Sequence, residues 1–370
     1  MRISCNKEEL QRGVNIVSKA VSKKTSMKIL ECILIDASSD KIKLTGNDME
    51  LGIKTIIEGD IEDTGSIALD AKFLGDIIRT LPANSEITID SDKNYTTYIT
   101  CENSQFKLSG LPSDEFTNLP VIEKDKYIEI SSLTLKEMIR QTIFSISTLD
   151  NNKIMTGELL EINNDVIRLV SLDGHRISIR NTNINSSEIN KKLIIPGKTL
   201  NEISKILSGD TEEIISIYFD NNHVIFEFED TLVVSRLIEG EYFNIDQMLS
   251  NDYETKLVIN KRQFMNSIDR SMIYLTESDK KPLILSINDT EMDLMMRTTK
   301  GEFKENIEVN KEGKDILIGF NPKFLKDALS VIDDEDITIY MMNAKAPCFI
   351  KDENTYTYLI LPVNFNVNSF

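Results

Sequence analysis

The sequence predicts an α+β protein built from three tandem copies of one domain, each with two helices on one face of antiparallel sheet. Three observations carry this. One segment occurs three times, as DAKFLGDIIRTL (70–81), PGKTLNEISKIL (196–207) and NPKFLKDALSVI (321–332), with Lys72, Lys198 and Lys323 aligned at spacings of 126 and 125 residues. Such a period exceeds the roughly 20–50 residues of a solenoid repeat and suits a whole small domain. A second amphipathic segment precedes each copy, and a run of short alternating stretches follows each.

The elements follow in order. The first helix of the first copy is expected over Lys7–Val21, with Leu10, Val14 and Val17 at helical spacing. Its counterparts are Leu135–Ser147 and Lys261–Leu275, where Leu10, Met138 and Phe264 correspond at spacings of 128 and 126. The second helix is the repeated segment, in which Leu74, Leu200 and Leu325 align, as do Asp76, Glu202 and Asp327. Asp70 and Asn321 suit an N-cap, and Pro322 suits the first helical position. A meander closes each copy: SEITID, YTTYIT and SQFKLSGLP; EIISIYF, HVIFEF and TLVVSRLIEG; EDITIYM, PCFIKD and TYTYLILPV. Ile87 and Ile89, Ile215 and Ile217, and Ile337 and Ile339 give the period of two of half-buried strands, with SDKN, DNN and DEN marking turns. Pro120–Lys126 and Ser250–Lys256 read as linkers, so the domains are expected at 1–122, 127–249 and 254–370.

A chain of 370 residues, 41% hydrophobic and 28% charged, has room for several cores. The start MRISCNKEEL carries charges where a signal peptide needs an apolar run, and no stretch is long enough to span a bilayer. Cys5, Cys32, Cys101 and Cys348 show neither CxxC pairs nor metal spacing and read as buried thiols of a reducing cytoplasm. Two histidines, His175 and His223, and no tryptophan are thin stock for acid–base or metal chemistry.

A net charge of −18, evenly spread, would argue against nucleic acid. It is not evenly spread. Counting Lys and Arg against Asp and Glu, the six helical segments, the first taken as 7–24, are each net positive and together carry +9, leaving −27 on the rest. Solvated helix faces commonly carry lysine. A segregated basic face is nevertheless expected, attracting phosphate while the remaining surface repels it.

Three stretches invite a chemical reading. Gly197-Lys198-Thr199 opens a helix after an apolar run, but the second glycine of a phosphate loop would stand at Lys192, and Pro196 removes an N–H donor. PGK occupies the place of DAK and NPK, which are plain helix starts. In SLDGHRISIR (171–180), Asp173, His175 and Arg176 suggest a catalytic cluster, set against a tight Asp-Gly turn before an edge strand. No nucleophile motif or second nearby histidine supports catalysis. RLIEGEYFNIDQML (236–249) and YTYLILPVNF (356–365) are apolar and aromatic; packing is their default role. With Met155, Leu172, Phe243, Met248, Ile360, Leu361, Pro362 and Val363 they hold what an apolar peptide-anchoring groove needs.

The chain closely resembles the bacterial DNA polymerase III β subunits, the replicative sliding clamps, along all 370 residues. The marks are LDGHRIS at 172–178, LIEGEYFNIDQML at 237–249, GFNPKFLKDAL at 319–329 and YLILP at 358–362. The resemblance implies the DNA clamp fold, with two copies head to tail in a closed ring, helices inside and sheets outside. It implies an accessory protein without a catalytic site, metal or cofactor, in the bacterial cytoplasm at the nucleoid. Retention by encirclement needs only weak, sequence-independent, salt-sensitive contacts with duplex DNA. The expected DNA-facing groups are Lys19, Lys24, Lys72, Arg79, Arg140, Lys198, Lys205, Arg270 and Lys323. Lys153 and Ile154 stand where some members place aromatic residues in a DNA-contacting loop.

The family's partner-peptide pocket falls on Met155, Leu172, Gly174, His175, Arg176, Ile177, Phe243, Met248, Ile360, Leu361, Pro362 and Val363. There the polymerase III catalytic subunit, the clamp loader and other clamp-binding proteins insert short peptides. Phe243 replaces a frequent Pro, Met248 a frequent Val and Asn364 a basic residue, and NVNSF (366–370) extends past the usual end. The dimer contact maps to Phe106 and Leu108 of one copy against Ile273 and Tyr274 of the other. Two other classes stand beside this reading: an enzyme using Asp173, His175 and Arg176, and an adapter that binds peptides without enclosing DNA.

Overall fold

The computed structural model describes residues 1–149, 151–185, 189–276, 281–352 and 355–366. It forms two compact units, Met1–Leu135 with Asn201–Leu237, and Lys136–Leu200 with Ile238–Phe370. The six helices are α1 (Lys7–Val17), α2 (Ala71–Thr80), α3 (Ser132–Thr142), α4 (Gly197–Ile206), α5 (Lys261–Met272) and α6 (Pro322–Ser330). The expected caps are present: Asp70 accepts from the Phe73 N–H at 2.7 Å and Asn321 from the Lys323 N–H at 3.1 Å, with Pro322 in the first turn.

The first helix of each repeat is shorter than its apolar periodicity suggests. α1, α3 and α5 end at Val17, Thr142 and Met272, and short 3-10 turns follow the first two. Side-chain hydroxyls turn back on the ladder there. Ser18 Oγ donates to the Val14 carbonyl at 2.5 Å, and Thr142 Oγ1 to that of Met138 at 2.8 Å. Leu10, Val14 and Val17 stay buried, as do Met138 and Phe264, so the periodicity located the right face but overran the end.

In the first unit, a five-stranded sheet runs in the order Asp60–Asp63, Arg2–Asn6, Glu86–Ser91, Thr96–Cys101, Ser104–Ser109. An eight-stranded sheet runs Tyr127–Ser131, Ile214–Phe219, His223–Phe228, Thr231–Arg236, Leu51–Ile57, Ile42–Asn47, Cys32–Asp36, Ser66–Asp70. All the pairings are antiparallel. The second repeat's meander thus continues the first repeat's sheet, with Val233 opposite Ile53 and the buried Thr55 and Thr231 hydroxyls 2.9 Å apart. Repetition in the sequence does not reveal this sharing, which hides two strand edges.

The second unit repeats the device. A nine-stranded sheet runs Asn190–Pro196, Gly157–Asn163, Val166–Leu172, Arg176–Asn183, Tyr356–Ile360, Cys348–Lys351, Asp336–Met341, Thr255–Asn260, Asn310–Gly313. The third repeat's meander joins the second repeat's sheet, Tyr358 opposite Ser178. A four-stranded sheet runs Gly301–Glu308, Glu291–Thr298, Leu283–Ile287, Ile316–Phe320. Phe264, Ile268, Leu325 and Leu329 of α5 and α6 are buried among these strands' apolar faces. Each such side chain contributes about 1.5–3 kcal/mol.

Residues 117–126 form an irregular connection whose Ile122 is buried against Ile225 and Val234. The second linker is shorter than expected, because Thr255 and Lys256 already belong to a strand. Of the third meander's turn signal, Glu353 and Asn354 lie outside the described residues, as does the tail beyond Asn366.

Candidate functional site

The corner between the strands Val166–Leu172 and Arg176–Asn183 organises the second unit's surface. Asp173 Oδ1 accepts the N–H groups of His175 at 2.9 Å and Arg176 at 3.1 Å, closing an Asx turn. Gly174 sits at φ +88, where a side chain would be strained. Arg176 is buried, and each of its guanidinium nitrogens donates: Nε to Asp173 Oδ2 at 3.0 Å, and one terminal nitrogen to Asp327 Oδ2 of α6 at 2.7 Å. The other donates to the Phe144 carbonyl at 2.6 Å. The group lies over the Phe324 ring at 4.4 Å and near that of Phe144 at 5.4 Å. His175 is exposed and stacks on Phe324, with 6.1 Å between centroids.

This geometry disposes of the catalytic reading. Asp173 is occupied by its own turn and by Arg176, so it orients no base, and the His175 ring makes no hydrogen bond among the described residues. The phosphate-loop reading goes too. A Cβ at Gly197 would stand 2.4 Å from Ile146 Cδ1 and 2.9 Å from the Thr156 carbonyl oxygen, so glycine serves close packing of the start of α4. Among the described residues no cluster of His, Cys, Asp or Glu is arranged to hold a metal ion.

Around the corner, Leu172 and Ile177 belong to an apolar cluster with Val170, Ile179, Ile245 and Leu359, and Met155 and Phe243 pack on it half-buried. Tyr242 anchors the overlying segment by donating to the Val170 carbonyl at 3.2 Å. Leu361 donates its N–H to the His175 carbonyl at 2.9 Å and is 37% exposed; Val363 donates to the Gly319 carbonyl at 2.8 Å and is likewise open to solvent. Met248 is 42% exposed, and Pro362 is half-buried. Ile360 instead lies inside the third repeat's core and Arg176 beneath the surface, so these two support the wall from behind. Ile154 is half-buried on the same cluster, whereas Lys153 is exposed. Phe324 and Asp327 were not foreseen, although Asp327 was visible as an aligned acidic position of the repeat.

Behind the corner, Glu158 is completely buried, with one carboxyl oxygen 2.6 Å from Thr142 Oγ1, whose own proton goes to the Met138 carbonyl, and the other oxygen without a partner among the described residues. Burial pushes its pKa up to about 8, so the carboxyl is protonated at neutral pH. The Thr142 carbonyl also accepts from Ser171 Oγ at 2.5 Å, which ties this buried group to the strand that enters the corner.

The predicted basic groups are at the surface, and four of the nine meet a carboxylate among the described residues. Arg79 meets Asp76, Arg140 meets Glu137 and Asp333, Lys205 meets Glu202, and Arg270 meets Glu305. α1 is itself neutral, Lys7 and Arg12 being matched by Glu8 and Glu9; that region's excess comes from Lys19, Lys23 and Lys24 beyond the helix. Lys72, Lys198 and Lys323 recur in the first turn of α2, α4 and α6 and are exposed. Of the expected contact residues, Phe106 is half-buried on an edge strand with Leu108 buried beside it, Ile273 is 75% exposed, and Tyr274 is half-buried.

Family models of the DNA polymerase III beta subunit match nearly the whole chain: the N-terminal domain at 1–120, the central domain at 129–244 and the C-terminal domain at 246–364. The chain belongs to the DNA polymerase III beta subunit family. The beta sliding clamp of Staphylococcus epidermidis is 33% identical, covering 98% of this chain and 99% of that one. A crystal structure from Eubacterium rectale is 56% identical with a TM-score of 0.96, covering 99% of this chain and all of that one. The Bacillus subtilis DNA polymerase sliding clamp is 32% identical with a TM-score of 0.94 at the same coverage. The three-domain clamp fold, with mixed helix and sheet, therefore holds for this chain. As a sliding clamp it is a non-catalytic processivity factor that tethers DNA polymerase.

Proposed function

We propose that two copies of this clamp close head to tail around duplex DNA and that partner proteins dock on the apolar surface beside the Asp173–Arg176 corner. One observation carries the ring. The last meander strands of the second and third repeats, Thr231–Arg236 and Tyr356–Ile360, each pair with a strand of another repeat. Their counterpart in the first repeat, Ser104–Ser109, has a free edge among the described residues. The strands that receive them, Leu51–Ile57 and Arg176–Asn183, likewise have a free counterpart in Gly301–Glu308. A chain with one unused donor edge and one unused acceptor edge is a heterologous building block, and a second copy satisfies both.

Lys19, Lys24, Lys72, Lys198 and Lys323 supply the DNA-facing charge in this reading, together with Arg79, Arg140, Lys205 and Arg270, each of which also meets a carboxylate. Encirclement makes that sufficient. Met155, Phe243, Met248, Leu361, Pro362 and Val363 receive hydrophobic side chains of peptides from the polymerase, the clamp loader and other clamp-binding proteins, with Gly174 and His175 at the rim. The domain limits 1–122, 127–249 and 254–370 and a cytoplasmic, nucleoid-associated location belong to the same proposal. The test is loading onto nicked circular DNA with clamp loader and ATP. The Lys198→Glu/Lys323→Glu double variant is expected to load poorly while keeping the wild-type thermal midpoint. Normal loading would contradict the role given to these lysines.

A further inference from the structure

We propose that the first unit holds a second peptide seat, at its corner of residues 48–52, and that the chain's own linker occupies it with Leu119 as the plug. This rests on the docking surface proposed beside Asp173–Arg176 and extends it to the equivalent place one repeat earlier.

The two corners are built alike. Asp48 Oδ1 accepts the N–H groups of Glu50 at 3.0 Å and Leu51 at 2.7 Å, as Asp173 Oδ1 accepts those of His175 and Arg176. Met49 and Gly174 share a positive φ, +77 and +88. The Arg236 N–H donates to the Glu50 carbonyl at 2.9 Å, and the Leu361 N–H to the His175 carbonyl at the same distance. Each of these pairs of residues stands 125 apart in the chain. By the same spacing, Asn47 takes the place of Leu172, and Gly52 that of Ile177.

Both of those differences serve the linker. Asn47 Nδ2 donates to the Thr117 carbonyl at 3.0 Å and pins the start of the connection. At Gly52 a Cβ would stand 2.2 Å from Leu119 Cδ2, so a leucine from the linker fills the slot that a side chain on the strand would otherwise take. Three residues on, Ile122 is buried against Ile225 and Val234. Residues 117–122, TNLPVI, are thus an irregular segment with two branched apolar anchors. That is the class of ligand the open surface of the second unit is proposed to take from other proteins.

The plug is held by side chains. No backbone–backbone hydrogen bond joins residues 117–126 to the other described residues, and Val121 is 97% exposed. Lys124 meets Glu227 at the surface, which adds little. A segment so sparsely bonded opens at low free energy. Tethering keeps the seat shut, because a segment joined to its site stands at an effective concentration on the order of millimolar, which micromolar free peptide does not match. Each chain therefore offers one open docking surface, and the second seat takes an apolar peptide only when the linker leaves it.

The experiment counts sites by calorimetric titration of the full-length protein with a clamp-binding peptide at micromolar concentration. Wild type is expected to bind one peptide per chain and Leu119→Ala two, the second persisting when Leu361→Ala is added. Val121→Cys, labelled with an environment-sensitive fluorophore in the otherwise wild-type chain, reports on the linker itself. Its emission is expected to shift only as the peptide is raised from micromolar to millimolar. One peptide per chain in folded Leu119→Ala, or an emission indifferent to millimolar peptide, overturns the second seat; should Leu119→Ala not fold, the label decides alone. A wild type that binds no peptide overturns the docking surface and this proposal together, whereas one site in both proteins overturns only this proposal.

Discussion

Two corners of the second unit occupy the same place in successive repeats and are finished differently. At Asp173–Arg176 a buried guanidinium holds two carboxylates, a carbonyl and two aromatic rings, binding the second repeat's strand to the third repeat's helix. At Thr298–Gly301 the turn carries an exposed Lys300 and, where the arginine would be, a glycine. The side-chain acceptor of the N–H two residues on recurs, but the backbone differs, with positive φ at Gly174 in one corner and at Gly301 in the other, and so does the chemistry. A desolvated ion network suits a joint that never parts, since breaking it strands a charge. A solvated turn with a single surface cation carries no such penalty.

The largest test of that contrast is Arg176→Ala. It leaves Asp173 and Asp327 without their common partner and is expected to cost about 3–5 kcal/mol of unfolding free energy. Arg176→Lys should recover little, because an ammonium cannot span both carboxylates and the Phe144 carbonyl. A loss under 1 kcal/mol would mean that the corner is held by packing alone.

Next comes Glu158, which lies behind the fixed corner only. Its folded pKa is raised, so its contribution is full below the ordinary carboxyl value of 4.5 and is lost as pH climbs towards about 8. Stability should therefore fall across that window by roughly 2–4 kcal/mol and flatten above it. Glu158→Gln should abolish this slope in pH-dependent denaturant melts; an identical slope in the variant would place the titration elsewhere.

Leu361→Ala should weaken a clamp-binding peptide by about 1–3 kcal/mol in titration calorimetry, as loss of one wall of an apolar docking surface would. Unchanged affinity would move the docking surface away from this corner. Smallest of all is Lys300→Ala, expected to shift monomer stability by no more than about 0.5 kcal/mol, since its exposed side chain holds no partner among the described residues. A larger loss would mean that the second corner is not open after all.

Much of this was legible in the sequence because repetition makes one domain's pattern check another's. The caps at Asp70 and Asn321 and the buried faces of the helices follow from local rules, and the strands of the meanders from alternation. The helix ends were overrun because Ser18 and Thr142, unremarkable in sequence, turn their hydroxyls onto the preceding turn. The shared sheets were invisible, since a strand's alternation says which face is buried and not which neighbour lies at its edge. In the site, the apolar residues were readable as stretches. Arg176 reads as a pocket residue, and only its partners on α6 and beside Phe144 explain its burial. The charge count included Asp76, Glu137 and Glu202, but not their direct pairing with Arg79, Arg140 and Lys205, nor the more distant partners Asp333 and Glu305.

The most direct test of the clamp account is retention by topology. The protein, loaded onto nicked circular DNA and freed of unbound material, should stay on the intact circle and be lost rapidly once the circle is cut. Equal retention on circular and linear DNA would mean ordinary surface binding and would contradict a closed ring.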